Sequence, residues 1–331
     1  MFELLGLCLA LAALLTVNAA CSLITAALWG RLKHRARDWR ARRLARLIFT
    51  LRVAPSVCAV LAITAVLLPA YLKHEPRASA EVVSVKLALL ALLSAAGLLL
   101  AAGRALAAGL ATRRLVAGWT QQARPLNSGL AIPAYRIEHR FPVIALVGAL
   151  RPRLFVAEQV LAALSQAELA AALAHEGGHL AAGDNLKRAL LRACRDALAI
   201  IPCGRALDRA WAEAAEAAAD EFAARRGPAT ALDLAAALVK LARLAPAGAK
   251  PTLPASALLL GDEPGSIADR VQRLVRLAAR PAVPAEPQPA PRFALAGLAI
   301  LSALPLARWL AQSDALTVAH AWMERFVSWL Q

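Results

Sequence analysis

Three long stretches of this chain carry no charged residue, and the segments between and after them switch to shorter, mixed patterns. Leu4 to Trp29 is uncharged, Val53 to Leu72 lies between Arg52 and Lys73, and Leu87 to Gly103 lies between Lys86 and Arg104. At 1.5 Å per helical residue, runs of this order cross about 30 Å of hydrocarbon. Phe293 to Leu310 is a shorter apolar run containing Pro305. It fits a fourth crossing, and it also fits a re-entrant or interfacial segment. Between the third and fourth runs, Ala131 to Arg140 and Pro142 to Val156 show short apolar or alternating patterns broken by Gly148 and Pro152, which predicts a small antiparallel sheet. Ser165 followed three residues later by Glu168 reads as a capping box, and Leu169 to Ala174 continues it as a helix. Leu186 to Ile201 is apolar but includes Lys187, Arg188, Arg192, Arg195 and Asp196, so it predicts an amphipathic helix on the domain or membrane surface and not a full span. Ala229 to Leu244 and Ser266 to Ala279 predict further helices, and Pro281 to Pro291 a proline-rich linker.

Composition agrees with this layout. A chain of 331 residues that is 60% hydrophobic, with a mean hydropathy of +0.55, is too apolar for an ordinary soluble enzyme. The expected architecture is an integral membrane, mainly α protein with about four transmembrane helices and an α+β domain between the third and fourth. In residue terms, 1–111 holds three membrane helices with a basic loop at 31–46. Residues 112–280 form the inserted domain, 281–292 the linker, 293–310 the fourth span and 311–331 a short amphipathic tail. Glu3 precedes the first apolar run and no basic segment does, so an uncleaved anchor is expected in place of a signal peptide. Arg31, Lys33, Arg35, Arg37, Arg40, Arg42, Arg43 and Arg46 follow it, and the positive-inside rule places them in the cytoplasm. That orientation puts the N-terminus, the 72–86 loop and the tail outside a cytoplasmic (inner) membrane, and the inserted domain inside.

The net charge of +16 is concentrated around the spans, where anionic lipid is the simpler partner, with Trp39 as an interfacial anchor. No recognisable nucleic-acid module accompanies it. Cys8, Cys21, Cys58, Cys194 and Cys203 are odd in number and lack metal-site or disulfide spacing. His34, His74, His139 and His320 are single histidines expected on surfaces or loops.

The chemistry resides in His175-Glu176-Gly177-Gly178-His179. On a helix, four-residue spacing sets both imidazoles on one face, where each offers a ring nitrogen to a single Zn²⁺. Glu176 then stands beside the ion, placed to take a proton from water activated there. Two helical glycines each cost about 1 kcal/mol against Ala, which suggests close approach of a neighbouring backbone or of substrate. Downstream, Glu213, Glu216, Asp220 and Glu221 lie on an Ala-rich helix. Glu216 is the candidate third ligand. Asp220, four residues on, could accept the free ring N–H of a ligand imidazole. Taken alone, these acids would equally make the solvated face of an amphipathic helix.

The motif together with Asp184-Asn185, Glu216-Ala217-Ala218-Ala219-Asp220, and the lead-in from Ala149 to Val156 resembles the membrane zinc metallopeptidases of the BlaR/MecR antirepressor type, a gluzincin-like pattern. It is more distantly similar to the HtpX and CAAX-prenyl-protease families. The resemblance covers about residues 130 to 225. It implies a zincin-like fold for the inserted domain, one Zn²⁺ per chain held by His175, His179 and Glu216, Glu176 as general base, and Asp184 and Asp220 as supporting acids. Gly177-Gly178 departs from the family pattern of a bulky residue followed by a small one. Arg270 resembles a family arginine near the cleft, and a surface helix charge explains it as well. The implied activity is peptide-bond hydrolysis in regulatory proteolysis of a protein substrate such as a transcriptional repressor. With about twenty residues after Leu310, no outer sensor domain is expected, so signalling would require a membrane sensor partner or sensing by the spans. A housekeeping membrane-protein peptidase and a catalytically silent scaffold are the alternatives.

Overall fold

The computed structural model describes residues 2–36, 39–75, 83–197, 204–245, 264–279 and 315–330. Among the described residues, three helices are long and apolar enough to span a membrane: α1 (Phe2–Leu32), the helix from Ala41 to His74, and α4 (Val85–Gln122). The second comprises α2 (Ala41–Ala62), a π-helical segment at Ile63–Leu67, and α3 (Leu68–His74). Both α2 and α4 pack against α1. The expected fourth span and the proline-rich linker lie outside the described residues.

The helices overrun the apolar segments read from sequence. The 31–46 stretch is not all loop, because Arg42, Arg43 and Arg46 lie on α2. Helix α4 likewise continues through residue 111 to Gln122. Charged residues end an apolar run without ending a helix, since Lys and Arg are good helix formers.

Beyond α4 comes a four-stranded sheet, β1 (Arg124–Pro125), β2 (Ala134–Ile137), β3 (Ile144–Val147) and β4 (Arg153–Ala157), in the order β1-β2-β4-β3. The expectation of an antiparallel sheet is corrected. β2 pairs with β4 in parallel, while β1–β2 and β3–β4 are antiparallel. The alternating pattern gives strands but not partners, and here the chain crosses so that β3 takes the outer edge. Gly148, with φ 106°, makes the turn between β3 and β4 that no β-carbon could follow without strain.

Helices α5 (Glu158–Ala163), α6 (Gln166–Ala182), α7 (Asp184–Ala197), α8 (Arg205–Ala224), α9 (Pro228–Leu244) and α10 (Pro264–Ala278) complete this part. Leu154, Phe155 and Val156 of the sheet share one core with Ala171 and Ala174 of α6, Leu234, Leu238 and Leu241 of α9, and Leu274 of α10. The predicted helices at 229–244 and 266–279 thus form nearly as read, within a residue or two at their ends.

The domain is joined to the membrane helices through α7 and α8. Helix α7 packs along α4 and α2. Its last residue, Ala197, sits so close to Gly97 that a β-carbon on the glycine would lie 2.6 Å from the Ala197 carbonyl oxygen. Helix α8 runs antiparallel to α2. Glu221 Oε1 accepts the Ala41 backbone N–H at 3.2 Å near one end, and Arg52 Nε donates to Asp208 Oδ1 at 3.0 Å near the other. Between them Ile48 packs with Leu207 and Trp211. A final helix, α11 (Ala315–Leu330), packs on α3 and the π-helical segment, well away from the Ala41 end.

Candidate metal centre

Helix α6 begins with the predicted capping box. Ser165 accepts the Glu168 N–H, and the Glu168 carboxylate accepts the Ser165 N–H at 2.8 Å. Lys240 of α9 also binds Glu168 at 2.8 Å, the main reason the carboxyl sits below its usual range. Gly183 in the left-handed conformation closes the helix, its N–H reaching back to the His179 and Leu180 carbonyls. The turn carrying His175 to Gly178 is buried.

Both imidazoles face α8, as the four-residue spacing requires. Their Nε2 atoms lie 3.2 Å apart. Glu216 Oε2 is 3.6 Å from Nε2 of His175, and Glu216 Oε1 is 3.5 Å from Nε2 of His179. A tetrahedral ion with bonds of about 2.05 Å separates its donors by roughly 3.3 Å, so three donor atoms from two helices fit the donor set of one Zn²⁺. Glu216 Oε2 is buried and makes no hydrogen bond among the described residues, its cationic neighbour being Arg270 Nη1 at 3.2 Å. Each rear nitrogen faces a carboxylate. Nδ1 of His175 is 2.9 Å from Asp220 Oδ1, and Nδ1 of His179 is 2.9 Å from Asp184 Oδ2. Such carboxylates orient a ligand imidazole and raise its basicity.

The glycines have different neighbours. A β-carbon on Gly178 would lie 3.0 Å from Ala219 Cα and 3.1 Å from Phe222 Cβ, whereas one on Gly177 would meet the Leu130 side chain at 3.3 Å. Gly178 therefore marks the crossing of α6 and α8, and its bare backbone lets Glu216 reach the histidines.

Two features were not resolved by sequence reading. Arg270 is not a surface charge. It is 3% exposed, bonds Asp220 through Nε at 3.2 Å and Nη2 at 2.8 Å, and lies 3.2 Å from Glu216 Oε2 through Nη1. Arg273, one turn on, donates to Asp220 Oδ2 at 3.0 Å. The second is Asn185, whose Nδ2 donates to the carbonyls of Leu146 and Gly148 at 2.9 Å each. It ties the start of α7 to the end of edge strand β3. Nothing in the pattern of α10 distinguishes its buried Arg270 from the half-buried Arg273 or the exposed Arg276, because an amphipathic period locates a face but not the acids opposite it. Glu213 and Glu221 face elsewhere. They line a cavity of about 560 Å³ between α1, α2, α8 and α10.

The electrostatics follow from this packing. Burial pushes the Glu176 carboxyl up, against the nearby histidines. Burial would lower both imidazoles, but Asp220 and Glu216 hold His175 up, and Glu216 and Asp184 lift His179 to about 10. Glu216 and Asp220 are driven below the ordinary carboxylate range despite burial, Glu216 first by His179 and Asp220 first by Arg270. Burial also opposes Asp184, which His179 and Lys187 bring down.

An H-E-x-x-H helix meeting an acid from a second helix, set in a small mixed sheet, is the arrangement of a metallopeptidase. Residues 145–243, less than a third of the chain, match the model of peptidase family M48, and the match supports that class. It spans β3 to α9 and so contains the motif, Asp184, Glu216 and Asp220. No curated protein and no solved structure shows a significant match to the chain.

Proposed function

We propose that this protein is a membrane-anchored zinc endopeptidase in which His175, His179 and Glu216 hold one Zn²⁺ and Glu176 is the general base. The observation that carries the reading is the triangle of donor atoms from α6 and α8, all within 4.8 Å of one another. When bound, Zn²⁺ supplies a Lewis acid and lowers the pKa of water to near neutrality. Glu176 is 4% exposed, and its raised pKa suits a group that takes a proton from attacking water and returns it to the leaving amine. Asp220 and Asp184 fix the imidazoles. Arg270 fixes Glu216 and Asp220 together.

Strand β3 is an edge of the sheet and packs beside α6. All four β3 residues are buried, so an extended substrate segment adding there as a further strand, with its scissile carbonyl over the histidines, requires that this edge first be uncovered. Because α8 is clamped to α2, the site is held next to the membrane helices. The substrates suited to it are membrane or membrane-proximal proteins, and regulatory proteolysis of such a protein, a repressor among them, is the role proposed. The test is cleavage of an unstructured protein such as β-casein by the full chain in detergent. Zinc-loaded wild type cleaves it, and Glu176→Gln keeps its zinc but is slowed by about 10²-fold or more. A Glu176→Gln variant as fast as wild type would sink the proposal.

A further inference from the structure

Two of the single histidines expected on surfaces or loops lie against each other. His74 ends α3, Glu75 follows it, and His320 lies on α11, which packs across that end of the membrane helices. The rings of His74 and His320 stack with centroids 5.5 Å apart. Glu75 is only 8% exposed although it is a carboxylate. His320 and Glu324 are four residues apart and share a face of α11, with Nε2 of His320 3.8 Å from Glu324 Oε1. One donor atom from each of Glu75, His320 and Glu324 lies within 4.8 Å of the other two. A separate observation points the same way. Nδ1 of His320, the ring nitrogen other than the one 3.8 Å from Glu324, and Nε2 of His74 are both buried with no hydrogen-bond partner among the described residues, a state that costs free energy unless something takes up the lone pair or the proton.

We propose a second metal site, at the end of the membrane helices away from the Ala41–Glu221 contact. It is formed by Glu75, His320 and Glu324, with the His74 ring stacked on that of His320. Imidazole and carboxylate without thiolate select a first-row divalent ion of borderline softness, Zn²⁺ being the working example. Small side-chain movements bring the donor triangle to the roughly 3.3 Å edge of such an ion. Since Glu75 belongs to the connection after α3 and the other two donors to α11, the ion ties the terminal helix to the membrane helices. This site does not depend on the catalytic proposal.

The experiment uses the full chain in detergent without a polyhistidine tag. In a His175→Ala/His179→Ala background, titration with Zn²⁺ alone is expected to show saturable uptake of about one ion per chain, and adding His320→Ala and Glu324→Gln is expected to abolish it. In the unmutated chain, carbethoxylation of His320 followed by mass spectrometry is expected to slow about tenfold with Zn²⁺ and recover with chelator, a readout that needs no variant to fold. Absence of uptake in the first background, uptake unchanged by the second pair of substitutions, or equal modification of His320 with and without Zn²⁺ would each overturn the site.

Discussion

A methyl group added at Gly177 and one added at Gly178 meet different surroundings, and their effects should differ in sign. At Gly177 the neighbour is the flexible end of Leu130, so Gly177→Ala gains helix propensity, up to about 1 kcal/mol. At Gly178 it is the backbone of α8, so Gly178→Ala forces the helices apart and destabilises by about 1–3 kcal/mol. Thermal unfolding of the two variants checks this, with weakened zinc binding expected only for Gly178→Ala. Protons give a second prediction at this scale. With the His179 pKa raised to about 10 from an unfolded value near 6.5, the metal-free fold gains stability from that proton in full below pH 6.5 and loses it as pH rises through about 10. Zinc must displace the proton, so uptake at pH 8 should release protons and affinity should climb toward pH 10. Calorimetry in buffers of different ionisation enthalpy reads the release, and buffer-independent heats would contradict it.

Helix α8 brings the membrane helices and the histidines into register, since one face carries Glu216 and Asp220 and another lies on α2. Its anchor at the Asp208 end is a mostly buried ion pair, with the Arg52 side chain 5% and that of Asp208 19% exposed. Removing one partner strands a buried charge. Asp208→Ala should cost about 3 kcal/mol or more in detergent, while Arg52→Met with Asp208→Leu should be close to neutral. Equal losses in the single and double variants would show that packing, not charge, holds the helices. Elements of this kind were legible to different degrees. The capping box of α6, the paired histidines and the acids four residues apart on α8 are local spacings, which helical geometry converts directly into a shared face. The parallel pairing of β2 with β4, the burial of Arg270 and the meeting of His74 with His320 depend on which segments come together over long separations, and a one-dimensional pattern does not encode that.

The mixed sheet and α5 to α10 form one body packed along α2 and α4, with α11 against α3. The apolar helices leave Leu92, Leu99 and Leu106 of α4 more than 60% exposed, a surface that hydrocarbon covers at no cost and water does not. Within that frame, side chains from α6 and α8 are proposed to close on one ion beside the membrane helices. The most direct measurement is the zinc content per chain of purified full-length protein. Glu176→Gln is predicted to hold as many ions as wild type, and His175→Ala/His179→Ala one fewer. A double-histidine variant retaining the full wild-type complement would show that these side chains hold no ion.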